Sequence, residues 1–377
     1  MKRKIVFVIE SLHLGGAEKS LVTLLQNLDA AVYDVELLTI VEGGFFKDKV
    51  PAWVRWEVIP SAPITVYQRI TYFLQKKLSR NKHHAQILWP IIAMNYTRRT
   101  KKYDVAIAYG QGFPTYFVNQ KLIANKKYSW LNTDYTKAGY QIQSDYSVYP
   151  NFNKIIAVSD EAKESFLEVL SHIGKTLEVE VIKDISDTIW ILEQANSQLK
   201  FRFDSKKINI VSVGRLAASK SFGLAIEACK LLKEKNIPIA WYIVGEGSER
   251  NFLQSKIDRL NLSTDMHLLG ADTNPYPYMK ACDIYVQTSL FEGLGLTVIE
   301  ASILQKPIVC TNFPTAYGIL KDGETGLIAE MTAESISENI ERLIVNVNLR
   351  NQLVKNLSLQ ENYDKEKSLQ QINDLLN

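Results

Sequence analysis

Cysteine is scarce in this chain and has no pattern. Cys229, Cys282 and Cys310 are an odd count, sit in apolar stretches and form no CxxC or Cys/His ligand spacing. That excludes a disulfide framework and a zinc module, and implies reduced core thiols in a cytoplasmic protein. Long apolar runs are missing as well. The opening MKRKIVFVIE stops being apolar after five residues, at Glu10, too short for the apolar region of a signal peptide. No stretch approaches the length of a membrane span. There is no DxD, no low-complexity tract and no short-period repeat. Between Glu57 and Asp104 there is no acidic residue at all.

What is present is an ordinary globular composition, 46% apolar and 23% charged over 377 residues, long enough for two cores. The net charge of +3 hides an asymmetry. Residues 1–180 hold 23 Lys/Arg against 17 Asp/Glu, and the remainder holds 21 against 24. A basic half joined to a mildly acidic one implies surfaces with different partners.

Short Val/Ile-rich runs alternate with helical patterns throughout. KIVFVIE, DVELLTIV, RWEVIP, YDVAIAYG, YSWLNTD and KIIAVSD read as strands of a first set. INIVSVG, IAWYIVG, MHLLG, DIYVQTS and PIVCTN read as strands of a second. Helices are expected over much of 16–28, 66–98, 111–124, 160–171, 222–235, 247–259, 293–304 and 333–345. Near-continuous apolar strands alternating with helices indicate α/β architecture: two doubly wound, Rossmann-like domains with parallel sheets covered on both faces. They join near 180–205, where LEQANSQLKFRFDSKK is the best linker candidate. Chemistry is expected in strand-to-helix loops, at the carboxyl ends of the strands.

The stretch LFEGLGLTVIEA places Glu292 and Glu300 around Gly293 and Gly295 in a loop that runs into an apolar helix. A glutamate at 300 in such a helix is costly without partners for its oxygens. Backbone N–H groups around Gly293, Leu294 and Gly295 open the positive end of that helix to an anion. A nucleotide-sugar fits the spacing: Glu292 on sugar hydroxyls, N–H groups on the diphosphate, Glu300 on the ribose. The alternative is a solvated Glu292 and a salt-bridged Glu300. VSVGRLAASKS adds Arg215 and Lys220 after a strand, two cations able to neutralise a departing diphosphate. IVGEGSER places Gly245 and Gly247 at a third strand end, where the backbone can be approached closely. Near the start, Gly15 and Gly16 follow strand one without the GxGxxG spacing of a dinucleotide site, and His13 stands beside them.

FEGLGLTVIEA, VGRLAASKS and GGAE together resemble the retaining glycosyltransferases of family 4, which have the GT-B fold. NPYPYMKACDIYVQTSLFEG resembles the polysaccharide-assembly branch of that family. The resemblance spans essentially the whole chain and is strongest over 207–330. It implies two Rossmann-like domains facing a cleft: 1–180 for the acceptor, 181–364 for the nucleotide-sugar, and a helix over 365–377 returning to the first. It implies hexose transfer from a nucleotide diphosphate sugar, UDP before GDP, to a glycan or polyprenyl-linked acceptor. No metal or cofactor is required.

Carried over, Arg215 and Lys220 clamp the diphosphate, Glu292 holds the sugar, Glu300 the ribose, and the backbone near Leu269 faces the base. Gly15, Gly16, Gly245, Gly293, Leu294 and Gly295 complete the donor side, with His13 and Asn132 on the acceptor side. Two departures stand out. Asn132 replaces a histidine found in many relatives, and an amide cannot act as a base; Ser221 follows Lys220 where glycine is usual. A GT-B epimerase and a non-catalytic partner subunit remain open as alternatives. Loss of Arg215, Lys220 or Glu292 would mark the subunit, and all three are present.

The segment 66–102 carries Arg69, Lys76, Lys77, Arg80, Lys82, Arg98, Arg99, Lys101 and Lys102 among Tyr67, Tyr72, Phe73, Trp89 and Tyr96. It is expected to rest on an anionic membrane surface, the inner leaflet of the cell membrane, rather than on nucleic acid, for which no recognition motif is present.

Overall fold

The computed structural model describes residues 2–13, 15–79, 82–359 and 365–377, so Arg80 of the basic segment lies outside the described residues. The chain divides into two compact units, Met1–Ile185 with Lys365–Asn377, and Ser186–Asp364.

The first unit holds a seven-stranded sheet in the order β3-β2-β1-β4-β5-β6-β7, with every pair parallel. Its strands are β1 (Arg3–Ile9), β2 (Tyr33–Thr39), β3 (Arg55–Val58), β4 (Lys102–Ala108), β5 (Ile123–Leu131), β6 (Lys154–Ala157) and β7 (Val179–Val181). Its helices are α1 (Gly16–Asn27), α2 (Val66–Leu78), α3 (His84–Ile92), α4 (Phe113–Lys121), α5 (Ile142–Asp145) and α6 (Asp160–Ser171).

The second unit begins with α7 (Thr188–Gln194). Its parallel sheet has the order β10-β9-β8-β11-β12-β13. The strands are β8 (Ile208–Val213), β9 (Ile239–Val244), β10 (Met266–Gly270), β11 (Ile284–Gln287), β12 (Ile308–Thr311) and β13 (Leu327–Ala329). Between them run α8 (Phe222–Glu234), α9 (Arg250–Arg259), α10 (Tyr276–Ala281), α11 (Leu296–Ile303) and α12 (Ala316–Ile319). After the sheet come α13 (Ala333–Val345) and α14 (Val347–Ser358), then α15 (Lys365–Leu376), which belongs to the first unit.

Both sheets are apolar on both faces, as parallel sheets covered by helices require. Ile5 to Ile9 of β1 and all of β9 are buried. One core of the second unit joins Ile210, Trp241, Ile243, Val286 and Val309 to the inner faces of α8, α9 and α13. In each sheet the strand order reverses once, between β1 and β4 and between β8 and β11. At such a reversal neighbouring crossover helices lie on opposite faces, and a crevice opens at the carboxyl ends of the two strands.

Several expectations are corrected. The first unit runs through Ile185 rather than ending at 180, because Val179–Val181 pairs in parallel with β6 as the edge strand of its sheet. A strand of three residues is too short for its alternation to show. The linker candidate is partly helical, since α7 occupies 188–194.

The helical run 66–98 is two helices with separate starts. Thr65 and Gln68 form a reciprocal capping box at the head of α2. His83 Nδ1 accepts the Ala85 N–H at 3.2 Å at the head of α3. Trp89 and Tyr96, grouped with the surface aromatics, are core residues, stacked 5.5 Å apart. Arg99 and Lys101 pair with Glu36, and Arg99 also with Glu57, so these two cations are neutralised within the unit.

The return of α15 is anchored at several points. Arg3 donates to Leu376 O at 3.1 Å, Tyr33 to Asn373 at 3.0 Å and Tyr128 to Leu375 O at 3.2 Å.

Candidate active site

At the reversal point of the second sheet, the loop after β8 meets the loop after β11. Two hydrogen bonds tie them: Leu290 N–H to Ser219 O at 2.8 Å and Thr288 Oγ1 to Lys220 O at 2.9 Å. The tie brings Lys220 and Glu292 together. Lys220 Nζ lies 2.5 Å from Glu292 Oε1 and 2.6 Å from Oε2, in a largely buried setting. Ser289 Oγ donates to Oε1 at 2.6 Å. Arg215 lies in the same β8 loop, exposed, and its guanidinium makes no ion pair among the described residues.

The backbone of the Lys220 loop is unusual. Ser221 closes a short 3₁₀ turn at φ +47° and opens α8 in the left-handed region. This explains why glycine is the residue expected there. Gly295 is left-handed too, at φ +81° ahead of α11, and a Cβ there would stand 2.6 Å from Ile319 Cδ1.

Gly245 serves packing between two loops. An added Cβ would lie 1.8 Å from Gly214 O, and at Gly247 it would lie 2.3 Å from Leu216 O. Leu216 N–H donates to Glu246 O at 2.9 Å in the same place. These glycines therefore seat the segment that carries Arg215, a role distinct from the expected approach to a ligand.

Glu292 lies in the loop ahead of α11, which begins at Leu296. Glu300 is inside α11 and 2% exposed. Tyr276 of α10 lies beside it, its phenol held well above the ordinary range by burial and by the Glu300 carboxylate. Trp190 of α7 packs edge-on against Tyr276, centroids 5.6 Å apart, so the helix unforeseen in the linker supports this wall. Leu269 is partly exposed at the end of β10, whose Leu268 carbonyl accepts from Arg250 at 3.3 Å.

Residues 193–359 match the family model described as glycosyl transferases group 1. An N-acetylgalactosamine-N,N'-diacetylbacillosaminyl-diphospho-undecaprenol 4-alpha-N-acetylgalactosaminyltransferase of Campylobacter jejuni is 27% identical over 349 residues, 88% of this chain and 87% of the relative. The lipopolysaccharide core biosynthesis glycosyltransferase LpsE of Rhizobium meliloti is 26% identical over 342 residues, covering 90% and 89%. The crystal structure of Anabaena HepE in complex with UDP and glucose superimposes with a TM-score of 0.73 at 18% identity, over 99% of both chains. The chain is a glycosyltransferase of GT-B fold.

At the reversal point of its first sheet, the glycosyltransferase gathers a second set of polar groups. Asn132 follows β5, its Nδ2 donating to Tyr109 O at 3.2 Å and its N–H to Gln111 Oε1 at 3.1 Å, while its own Oδ1 is buried with no partner among the described residues. His13 is exposed after β1, and its backbone N–H reaches Ser11 Oγ at 3.3 Å. Gly15 precedes α1 in extended conformation, and Gly16 is its first residue.

Sequence reasoning missed the residues that meet here. Glu10, just past β1, has its carboxylate 3.9 Å from His84 Nε2. His83 stacks on Tyr140 at 4.0 Å, and burial holds its imidazole down at about 4. His84 also lies edge-on to Phe113, centroids 5.5 Å apart. The available signal was the His83-His84 doublet immediately before an apolar helical run, where capping residues belong.

Proposed function

We propose that this glycosyltransferase is a retaining, metal-independent hexosyltransferase. It moves a sugar from a UDP-sugar, held by the second unit, to a glycan or polyprenyl-linked acceptor held by the first. The Lys220–Glu292 pair at the sheet reversal carries this reading. A cation and a carboxylate fixed side by side suit a ligand that is anionic at its diphosphate and hydroxylated at its sugar. Arg215 in the same loop supplies a second cation, so diphosphate charge has protein partners. Glu300 is assigned to the ribose and the backbone near Leu269 to the base.

On the acceptor side, Asn132 orients by hydrogen bonds only. The donor phosphate therefore takes the incoming hydroxyl's proton. UDP in the HepE complex and the undecaprenol-linked sugar in the Campylobacter relative's name support the donor and acceptor classes. The presence of Arg215, Lys220 and Glu292 disfavours a non-catalytic subunit.

The acceptor reading extends to a membrane surface. No helix among the described residues is long and apolar enough to cross a membrane. Yet α2 turns an apolar stripe to solvent. Val66, Tyr67, Ile70, Phe73, Leu74 and Leu78 are exposed, and only Gln68 of the helix is buried. Arg69, Lys76 and Lys77 share the helix, and Arg98 and Met94 are exposed after α3. An exposed apolar stripe bordered by cations suits the headgroup boundary of an anionic leaflet.

The donor reading is tested by thermal shift. UDP should raise the melting temperature by several degrees, more than GDP or ADP, because a ligand of the folded state stabilises it. Release of UDP from UDP-glucose, UDP-galactose or their N-acetylhexosamine counterparts should persist in EDTA. No shift with any nucleotide would overturn the assignment.

A further inference from the structure

The two carboxylate oxygens of Glu292 are not equivalent. Oε1 accepts from Lys220 at 2.5 Å, Ser289 Oγ at 2.6 Å and, at the long limit of 3.5 Å, Gln287 Nε2. Among the described residues, Oε2 accepts only from Lys220, at 2.6 Å. The asymmetry originates behind the site, at Gln287. Its Oε1 accepts from Tyr285 OH at 2.8 Å and from Thr297 Oγ1, in the first turn of α11, at 3.3 Å. Two donors on that oxygen fix which way the amide faces. Nε2 must then point at Ser289, which it reaches at 2.8 Å. Ser289 accepts that hydrogen bond, so its own hydrogen is directed to Glu292. Each donor in the chain has one direction.

Tyr285, Gln287 and Ser289 are wholly buried. Gln287 closes β11, whose preceding residues Ile284 and Val286 belong to the apolar core. An amide in that position costs free energy unless both ends are satisfied, and here both ends are.

We propose that Gln287 is a positioning residue for sugar transfer. Through Ser289 it fixes the Glu292 carboxylate so that Oε1 is occupied by the protein and Oε2 is presented to a sugar hydroxyl. Thr297 makes the first turn of α11 part of the same device, so the helix start and the sugar ligand are set together. The proposal rests on the donor reading above.

The test combines Gln287→Met, which keeps the volume and removes both ends of the amide, with Glu292→Gln, singly and together. Gln287→Met should lower kcat for turnover of whichever UDP-sugar the wild-type enzyme uses by roughly 10- to 100-fold. The dissociation constant for UDP, measured by calorimetry, should move less than about threefold. In the Glu292→Gln background the same substitution should cost less than about twofold more, because residues acting as one unit are not additive. Tyr285→Phe and Thr297→Val, each removing one donor, should give smaller losses in the same direction and cover the case that Gln287→Met does not fold.

Effects that multiply in the double variant, or a lowered melting temperature with unchanged kcat, would reduce Gln287 to a packing residue and overturn the proposal. Absence of wild-type turnover would instead overturn the donor reading. Urea unfolding of the same variants then still decides the network: midpoint shifts smaller together than their sum support it, and strictly additive shifts end it.

Discussion

Lys220 Nζ bridges both oxygens of Glu292, at 2.5 and 2.6 Å. The two side chains expected to hold opposite ends of a donor therefore hold each other first. A diphosphate must compete with Glu292 for the ammonium, and a sugar hydroxyl must compete with Lys220 for Oε2. Removing either partner leaves the other without its counter-charge in a largely buried place, which is costly in itself.

The first prediction follows from that exchange. Lys220→Met should weaken UDP binding and lower kcat, together by two to three orders of magnitude in kcat/KM. Glu292→Gln should lower kcat while leaving UDP affinity within a few-fold, since it faces the sugar. Glu300→Ala should remove the preference for UDP over 2′,3′-dideoxy-UDP, measured by calorimetry. A preference that persists would move the ribose elsewhere.

The second concerns Ser221. At φ +47° a side chain is strained, so Ser221→Gly should raise the unfolding free energy by roughly 0.5–1 kcal/mol, the cost relieved being partly offset by a freer unfolded chain. Lys220 keeps its position, and turnover should stay within about twofold. Urea denaturation measures the first and steady-state kinetics the second.

The third is a pH dependence. The His83 imidazole is held down at about 4, so the folded protein binds this proton less readily than the unfolded chain. The contribution of His83 is full above about pH 6.5 and is lost as the pH falls toward 4. Partial exposure limits the loss to at most about 2 kcal/mol. His83→Asn keeps a capping side chain at the head of α3 and should flatten that part of the stability profile. An unchanged profile in the variant would assign the acid sensitivity to other groups.

The fourth is binding to vesicles. The protein should float with liposomes containing anionic phospholipid, less so at high salt. Ile70→Asp with Phe73→Asp should abolish flotation by removing the apolar contact, and Lys76→Gln with Lys77→Gln should reduce it. Equal flotation on neutral vesicles, or none at all, would leave α2 as an ordinary surface helix.

Much of this arrangement was readable from residue order because parallel sheets announce themselves. Runs such as IVFVI and IAWYIV are apolar without alternation, and their loops necessarily fall at one edge. Lys220, Glu292 and Glu300 could be named because charge stands out against an apolar helix or after a strand. What escaped depends on pairing at a distance. Val179–Val181 is a strand only because β6 lies beside it. The role of Gly245 depends on Gly214 O, a contact between two loops. Gln287 reads as a polar strand end until Tyr285, Thr297 and Ser289 are seen around it. The pairing of Glu10 with His84 spans 74 positions and leaves no local trace.

The return of α15 bears on how the protein is made. Translation delivers the seven strands of the first sheet early, but Ile372, Leu375 and Leu376, all buried, arrive only after every residue of the second unit. Until then Arg3, Tyr33 and Tyr128 lack the partners that α15 provides. The nascent first unit must therefore wait on the ribosome with an uncovered apolar strip, the kind of surface that chaperones hold and proteases sample. The half that is synthesised first is the half that matures last.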